Sequence, residues 1–220
     1  MKHMNIRTII FDLGGVLLNV GYQHTIDAFK QLGVQDFDKL FTKAEQIGLF
    51  DQLDRGEVSP VEFREELRRI TGIALSDSDI DTAWNAMLLD LPGKRLALLD
   101  RVRKHYRTFL LSNTNAIHYP AYNAFLQEKY GFNSLEDLFE KQYLSFEMGL
   151  RKPEPAIFST VVSDNKLNPS ETLFIDDSRQ HVEGARAAGL HAFWLDVDTM
   201  DVTGLFNENH LLIPESLENL

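Results

Sequence analysis

Thr8-Ile9-Ile10-Phe11-Asp12-Leu13-Gly14-Gly15-Val16-Leu17 runs from a β-branched apolar stretch into an acid and then into a pair of glycines. The apolar part reads as a buried strand. An ionisable group at its carboxyl end, just before a glycine turn, sits where open α/β sheets bind their ligands. Moving outward, short apolar runs of the same kind lie at Ile6 to Phe11, Arg107 to Leu111, Thr172 to Ile175 and His191 to Leu195, each near a stretch with helical spacing. Strands alternating with helices predict an α/β fold built on a doubly wound parallel sheet covered on both faces.

Between Asn19 and Leu91 the pattern changes, because apolar residues there follow helical rather than strand spacing. Ser59-Pro60-Val61-Glu62 offers an N-cap, a proline at the first helical position and an acid at the third, and Phe63, Leu67 and Ile70 then repeat on one face before Gly72. Ser76 with Asp79 opens a second helix carrying Ile80, Ala83, Trp84, Met87 and Leu88, and Leu91-Pro92-Gly93 ends it. The stripe reads as bundle core rather than a cofactor box. The expected organisation is therefore a catalytic core of residues 1–18 and 92–220, interrupted by an inserted α-helical subdomain over 19–91. Beyond it, Leu96, Leu99 and Val102 suggest one core helix and Ile157, Phe158, Val161 and Val162 another, while Leu211-Leu212-Ile213 is expected to pack back onto the core.

Composition narrows the partners. The 220 residues hold 44% hydrophobic and 25% charged side chains, and the net charge of −11 repels nucleic-acid phosphates and anionic lipid. With no cysteine, neither disulfides nor thiolate metal sites are available. No apolar stretch approaches bilayer-spanning length and the amino terminus lacks a signal-type apolar core, so a cytoplasmic location is expected.

Four sites carry the chemistry. Asp12 can act as a nucleophile, and the backbone N–H groups of the Leu13-Gly14-Gly15 turn can hold phosphoryl oxygens, although a strand-end acid also serves simply to cap its turn. Ser112-Asn113 follows the second strand at the same sheet edge, where a hydroxyl and an amide suit an anion as well as an ordinary turn. Lys152, before Pro153-Glu154-Pro155, can offer a point charge to phosphate. Asp176-Asp177 closes the third apolar run, and two carboxylates about 4 Å apart repel by roughly 4 kcal/mol at an effective dielectric near 20. A cation belongs beside them. Mg²⁺ fits, since it takes a few carboxylate oxygens together with water and phosphate, and the chain has no evident His or Cys cluster for a softer metal.

In order and spacing these motifs resemble those of the haloacid dehalogenase-like hydrolase superfamily: Phe11-Asp12-Leu13-Gly14-Gly15-Val16-Leu17, Leu111-Ser112-Asn113-Thr114-Asn115, Lys152-Pro153, and Asp176-Asp177 with Gly184-Ala185. The resemblance spans nearly the whole chain. It implies a Rossmann-like core, identifies the insert with the small helical cap of one branch, and points to a phosphatase acting on a small phosphorylated metabolite. It further implies that Asp12 attacks phosphorus to form an aspartyl-phosphate, that Ser112 with Asn113 and the Leu13-Gly14 backbone holds the phosphoryl group, and that Lys152 offsets the charge of both. Mg²⁺ would take Asp12, the Gly14 carbonyl and Asp177, with Asp176 as ligand or anchor.

Gly14 departs from the pattern, because most of these phosphatases carry a second Asp there that protonates the leaving group. General acid–base help is worth about 10²- to 10⁴-fold. A bacterial branch resembling sugar-phosphate phosphatases, including those for α-glucose 1-phosphate, shares the Asp-x-Gly pattern and the Ser-Asn-Thr-Asn motif. The glycine therefore suggests a substrate whose leaving group needs little protonation, such as an anomeric sugar phosphate. His24 and His118 are candidates for a substitute acid, and Asp51 to Glu57, with Arg55 and Gly56, is a candidate cap loop over the substrate. Two rivals stand beside this reading: a 2-haloacid dehalogenase, which also lacks the second Asp but has no evident need of a metal, and a phosphometabolite-binding protein without catalysis. The oligomeric state is not legible in the sequence.

Overall fold

The computed structural model describes residues 5–34, 37 and 48–214. Residues 35–36 and 38–47 of the expected insert, and 215–220 of the tail, lie outside the described residues. Five parallel strands, β1 (Thr8–Phe11), β2 (Arg107–Ser112), β3 (Lys141–Leu144), β4 (Thr172–Asp176) and β5 (His191–Trp194), form one sheet in the order β3-β2-β1-β4-β5. β1 is central, with Ile10 registered against Phe109 on one side and Phe174 on the other. The winding reverses at β1. That makes the carboxyl ends of β1 and β4 the topological switch point, where such sheets form their binding crevice.

Alternation along the strands gives the sheet two apolar faces. Ile9, Phe11, Leu110, Leu173 and Ile175 pack with Leu99 and Val102 of α5 (Gly93–Val102) and Tyr122 and Leu126 of α6 (His118–Tyr130). Ile10, Phe109, Leu111 and Phe174 pack on the other face with Ile157, Phe158 and Val161 of α8 (Pro155–Asp164) and Val182 and Ala185 of α9 (Arg179–Ala187). A short helix, α7 (Ser145–Met148), follows β3.

Four helices described between β1 and α5 bury their own cluster: α1 (Tyr22–Gln31), α2 (Leu49–Asp54), α3 (Pro60–Thr71) and α4 (Asp77–Asn85). Phe29, Leu53, Phe63, Leu67, Ile80 and Trp84 are among its buried residues, and Phe50 stacks on Trp84 at 5.0 Å between ring centroids. The caps expected for α3 and α4 form as reciprocal pairs, Ser59 with Glu62 and Ser76 with Asp79. The chain enters and leaves this cluster along paired segments: Val20 bridges Leu88 antiparallel, Asn19 N–H donates to the Asp90 carbonyl at 2.8 Å, and Leu89 N–H donates to the Asn19 carbonyl at 3.0 Å. Buried Arg95 ties that crossing to the core through the Leu17 carbonyl at 3.0 Å, Asn19 Oδ1 at 2.9 Å and Asp201 at 3.0 Å.

Two details differ from the sequence pattern. β3 has no counterpart in the expected strands, because it is a four-residue edge strand in which only Tyr143 and Leu144 are buried and Lys141 and Gln142 carry polar edge chemistry. In the tail Leu212 is buried and bridges Phe206, whereas Leu211 stays 40% exposed. Among the described residues no helix is long and apolar enough to cross a membrane.

Candidate active site

Each strand that borders the switch point ends in a functional side chain. Asp12 follows β1 directly and its N–H donates to the Ile175 carbonyl of β4 at 3.0 Å, so the sheet ladder itself sets where the carboxylate emerges. Ser112 is the last residue of β2 and Asp176 the last of β4. Lys152 arrives from the loop after α7, and its ammonium donates to Asp12 Oδ1 at 2.6 Å and to Asp176 Oδ2 at 2.7 Å. All three charged groups are almost fully buried, at 6% for Asp12, 1% for Lys152 and 0% for Asp176.

The repulsion expected between Asp176 and Asp177 is relieved on one side only. Asp176 receives Lys152, the Ser178 N–H at 2.8 Å and His181 Nδ1, which lies 3.0 Å from both carboxylate oxygens. Burial opposes its charge, but Lys152 and His181 hold its pKa below the ordinary value. Asp177 makes no ion pair among the described residues, and Lys152 and His181 act on it only from further away. Burial, then Asp176, raises its pKa. Asp12 is pushed up to about 7, chiefly by burial, with Asp176 and Asp177 adding to the shift and Lys152 opposing it. Lys152 itself is held above its ordinary pKa, because Asp12 and Asp176 outweigh the burial that disfavours its charge.

This is an oxygen-rich cluster with unrelieved negative charge. One carboxylate oxygen each from Asp12, Asp176 and Asp177 falls within a 4.8 Å group. Hard oxygen donors in that arrangement fit Mg²⁺ rather than a softer metal. Asp176 has both oxygens engaged, which leaves Asp12 and Asp177 with the freer donor atoms. Gly15 makes the approach of Asp177 possible: its φ is +77°, and a Cβ there would lie 2.1 Å from Asp177 Oδ2. Gly14 is different, since a Cβ would meet only Val20 Cγ2, at 3.4 Å. A Cβ fits there, so contact at that atom does not account for the glycine.

Ser112 is buried, and its hydroxyl makes one long contact, 3.4 Å to the Asn113 carbonyl, which leaves it available to an anion. Asn113 spends its amide on Lys152, donating to the Lys152 carbonyl at 3.0 Å and accepting from its N–H at 2.9 Å. Ser145 of α7 exchanges hydrogen bonds with the Thr114 backbone at 3.0 and 2.9 Å and so binds the same two loops together. From behind, the helical Gly184 leaves room for the Pro153 carbonyl, which would lie 2.1 Å from a Cβ. Neither His181 nor Ser145 is singled out by the sequence pattern. His181 falls five residues beyond Asp176 on the first turn of α9, a spacing that becomes a signal only once the strand–helix turn is known.

The α1–α4 cluster closes over this edge. Asp54, at the end of α2, accepts from Asn115 Nδ2 at 3.1 Å, Arg55 pairs with Glu154, and Arg151 pairs with Asp51. Gly56 at φ +68° lies so near the Phe146 carbonyl that a Cβ would be 2.2 Å from it. The Asp51 to Glu57 segment, read from the sequence as a loop, is the last turn of α2 followed by a turn at Arg55 and Gly56, and it docks on the residues around Lys152. Tyr22, at the start of α1, exposes much of its ring, yet desolvation and then the charges of Asp177, Asp12 and Asp54 hold its phenol above its ordinary pKa.

The two histidines have other surroundings. His24 is exposed on α1 beside Gly21. His118 is buried, stacks on Trp84 at 5.3 Å and has Nδ1 2.7 Å from Asn85 Oδ1, and burial lowers its pKa to about 4. Such a ring is a structural contact between α4 and α6. It stays neutral when folded and takes a proton first when unfolded, so its contribution is complete above about pH 6.5 and is lost as the pH falls towards 4. Over that window the loss amounts to about 3 kcal/mol. The raised Asp12 acts in the opposite direction in both proteins, so from pH 7.5 to 4.5 the change in urea-derived unfolding free energy is expected to be more favourable in His118→Gln than in the native chain by about that amount. An equal acid loss in both proteins would show that His118 is not the group responsible.

A cleft of about 630 Å³ at the amino-terminal edge of the sheet, lined by Arg7, Arg103, Lys104 and Arg107, lies away from this chemistry. Its cations are matched by acids, Arg7 by Glu171, Arg103 and Lys104 by Asp100, and Arg107 by Glu140.

Known proteins resemble this chain in sequence and fold. A sequence model of the haloacid dehalogenase-like hydrolases matches residues 6–189. A D-ribitol-5-phosphate phosphatase of Bacteroides thetaiotaomicron is 33% identical over 86% of this chain and 91% of its own. The crystal structure of a HAD family enzyme from the same organism, in complex with magnesium and inorganic phosphate, superimposes with a TM-score of 0.82 at 38% identity, covering 92% of this chain and 100% of that one. A 2-haloacid dehalogenase from Pseudomonas syringae reaches a TM-score of 0.57 at 17% identity over 87% and 86% of the two chains, a likeness of fold alone. With an acid after β1, a lysine fixed against it and paired acids after β4 on a sheet of this order, the chain belongs to the haloacid dehalogenase-like hydrolases.

Proposed function

We propose that this HAD-family phosphatase hydrolyses the phosphate monoester of a small sugar or sugar alcohol through an aspartyl-phosphate on Asp12, with Mg²⁺ as cofactor. The observation that carries the reading is the Asp12–Lys152–Asp176 chain of contacts beside a third acid, Asp177, whose pKa is raised by burial and by Asp176. Asp12 and Asp177, with the Gly14 carbonyl, would hold the metal, and Asp176 would anchor Lys152 and His181. When bound, Mg²⁺ supplies charge neutralisation for phosphate and for the acids around it.

The residues divide the remaining work. Asp12, at the carboxyl end of β1, provides the attacking oxygen. Lys152 steadies that carboxylate and the phosphoryl charge, while Asn113 holds the Lys152 backbone in place. The Ser112 hydroxyl and the N–H groups after Asp12 receive phosphoryl oxygens. Positioning and charge stabilisation account for most of phosphoryl transfer, which is what such a rigid buried set provides. We assign residues 19–91 to the cap and 1–18 with 92–220 to the core. The name of the D-ribitol-5-phosphate phosphatase relative supports a polyol or sugar phosphate as substrate class.

A phosphate-release screen over sugar phosphates, sugar-alcohol phosphates, nucleoside monophosphates and phosphoacids tests this. Mg²⁺-dependent turnover, highest on the first two classes and abolished by chelation, is expected. Chloride release from 2-chloropropionate without any Mg²⁺ requirement would favour the dehalogenase instead. Because a Cβ fits at position 14, Gly14→Asp is expected to fold and to raise the rate on primary alkyl phosphates relative to aryl and anomeric ones by tenfold or more, in keeping with general-acid catalysis worth about 10²–10⁴. Unchanged relative rates would mean that leaving-group protonation is not what the glycine omits.

A further inference from the structure

Asp54 is an acid in an unexpected place. It sits where α2 ends, accepts from Asn115 Nδ2 at 3.1 Å and lies 3.8 Å from Arg151 Nη2. Asn115 is three residues beyond Ser112, and Arg151 immediately precedes Lys152, so Asp54 is placed beside both loops that carry phosphate-binding candidates. Yet its side chain keeps 21% of its exposure, so part of the carboxyl still faces solvent-accessible space.

A carboxylate is a poor neighbour for phosphate. Asp51, three residues earlier, is committed to Arg55 and Arg151 in the docking contacts. Asp54 is less engaged: one neutral amide donor and one guanidinium at 3.8 Å leave acceptor capacity, since a carboxylate accepts about four hydrogen bonds. Neutral hydroxyl groups can use it. An anionic leaving group, by contrast, would be brought into partly desolvated space beside a like charge.

We propose that Asp54 is a specificity-determining residue: it accepts hydrogen bonds from the hydroxyls of a neutral polyhydroxy leaving group and disfavours phosphate esters whose leaving group carries a carboxylate. This rests on the phosphatase reading above and specifies which part of the cap selects the substrate. A hydroxyl donating to a charged acceptor, together with relief of repulsion when the charge is removed, corresponds to a discrimination of about ten- to a hundredfold.

The experiment compares kcat/KM on D-ribitol 5-phosphate and 2-phosphoglycolate, with Mg²⁺, for the full native chain, Asp54→Asn and Asp51→Asn. Asp54→Asn preserves shape and the acceptor for Asn115, and Asp54→Ser replaces it in the test if that variant does not fold. The native preference for ribitol 5-phosphate is expected to fall at least tenfold in the Asp54 variant, while Asp51→Asn moves both substrates by the same factor. A native chain active on both esters whose ratio is unchanged by Asp54→Asn, or equally changed by Asp51→Asn, overturns this inference alone. Native activity on neither ester, nor on the other phosphates of the screen, removes the phosphatase reading and this inference together.

Discussion

Asp12→Asn is expected to reduce Mg²⁺-dependent phosphate release by three orders of magnitude or more while leaving the fold intact. The substitution keeps the side-chain shape and an oxygen that can accept from Lys152, whose other partner, Asp176, is unaffected. What it removes is the oxygen nucleophile, and removing one member of a catalytic set that acts as a unit costs about as much as removing several. A second readout separates chemistry from packing. Burial and the acids at 176 and 177 push the Asp12 pKa up to about 7, so the ionised carboxylate strains the metal-free fold above that pH. Without divalent cation at pH 8, the Asn variant is therefore expected to melt higher than the native chain, as removal of an electrostatically strained functional group often does. An inactive variant that melts lower would indicate that Asp12 serves structure first. Equal, negligible activity in both proteins would favour a phosphometabolite-binding role.

Gly15→Ala is the second large effect. The new Cβ would stand 2.1 Å from Asp177 Oδ2 and 2.5 Å from its Cγ, at a φ of +77° that an L side chain rarely adopts. Asp177 must move, and with it one of the two freest donors of the metal site. The Mg²⁺ concentration for half-maximal activity is expected to rise at least a hundredfold, and calorimetric Mg²⁺ binding to weaken in parallel. Backbone strain alone costs about 1–2 kcal/mol for a residue forced into this region. Gly72→Ala supplies that control, because Gly72 has φ +70° with no atom within 4 Å of the added Cβ and caps α3 away from the site. It should lose stability by that amount with its Mg²⁺ response unaltered. A matching Mg²⁺ shift in both variants would trace the effect to strain rather than to Asp177.

Much of this was legible beforehand because the chemistry sits on strand ends. Asp12, Ser112 and Asp176 each terminate or directly follow an apolar run, and an apolar run buried on both sides has a pattern that survives in one dimension. The capping boxes at Ser59 and Ser76 were legible for a related reason, since a cap is a contact between residues three apart. β3 was not, because a four-residue edge strand with Lys141 and Gln142 on it lacks both the length and the apolar content that mark a buried strand. Asn113 shows the limit most clearly: its type suggested an anion ligand, yet both ends of its amide hold a backbone thirty-nine residues away.

Residue types and their order alone carried the parallel α/β core, the helices at Pro60–Thr71 and Asp77–Asn85, the absence of thiolate chemistry, and the set Asp12, Ser112, Lys152 and Asp176-Asp177. These are matters of residue type, local period and order along the chain. How the charges are shared is a property of the folded chain: Lys152 bridges Asp12 and Asp176, His181 completes the neutralisation of Asp176, Asp177 lies against Gly15 without an ion pair among the described residues, and Asp54 accepts from Asn115. Distance separates the two. Hydrogen bonding, desolvation and Coulomb energy depend on separations of a few ångströms in space, and those separations exist only after residues 140 positions apart, such as Asp12 and Lys152, have been brought together by the sheet.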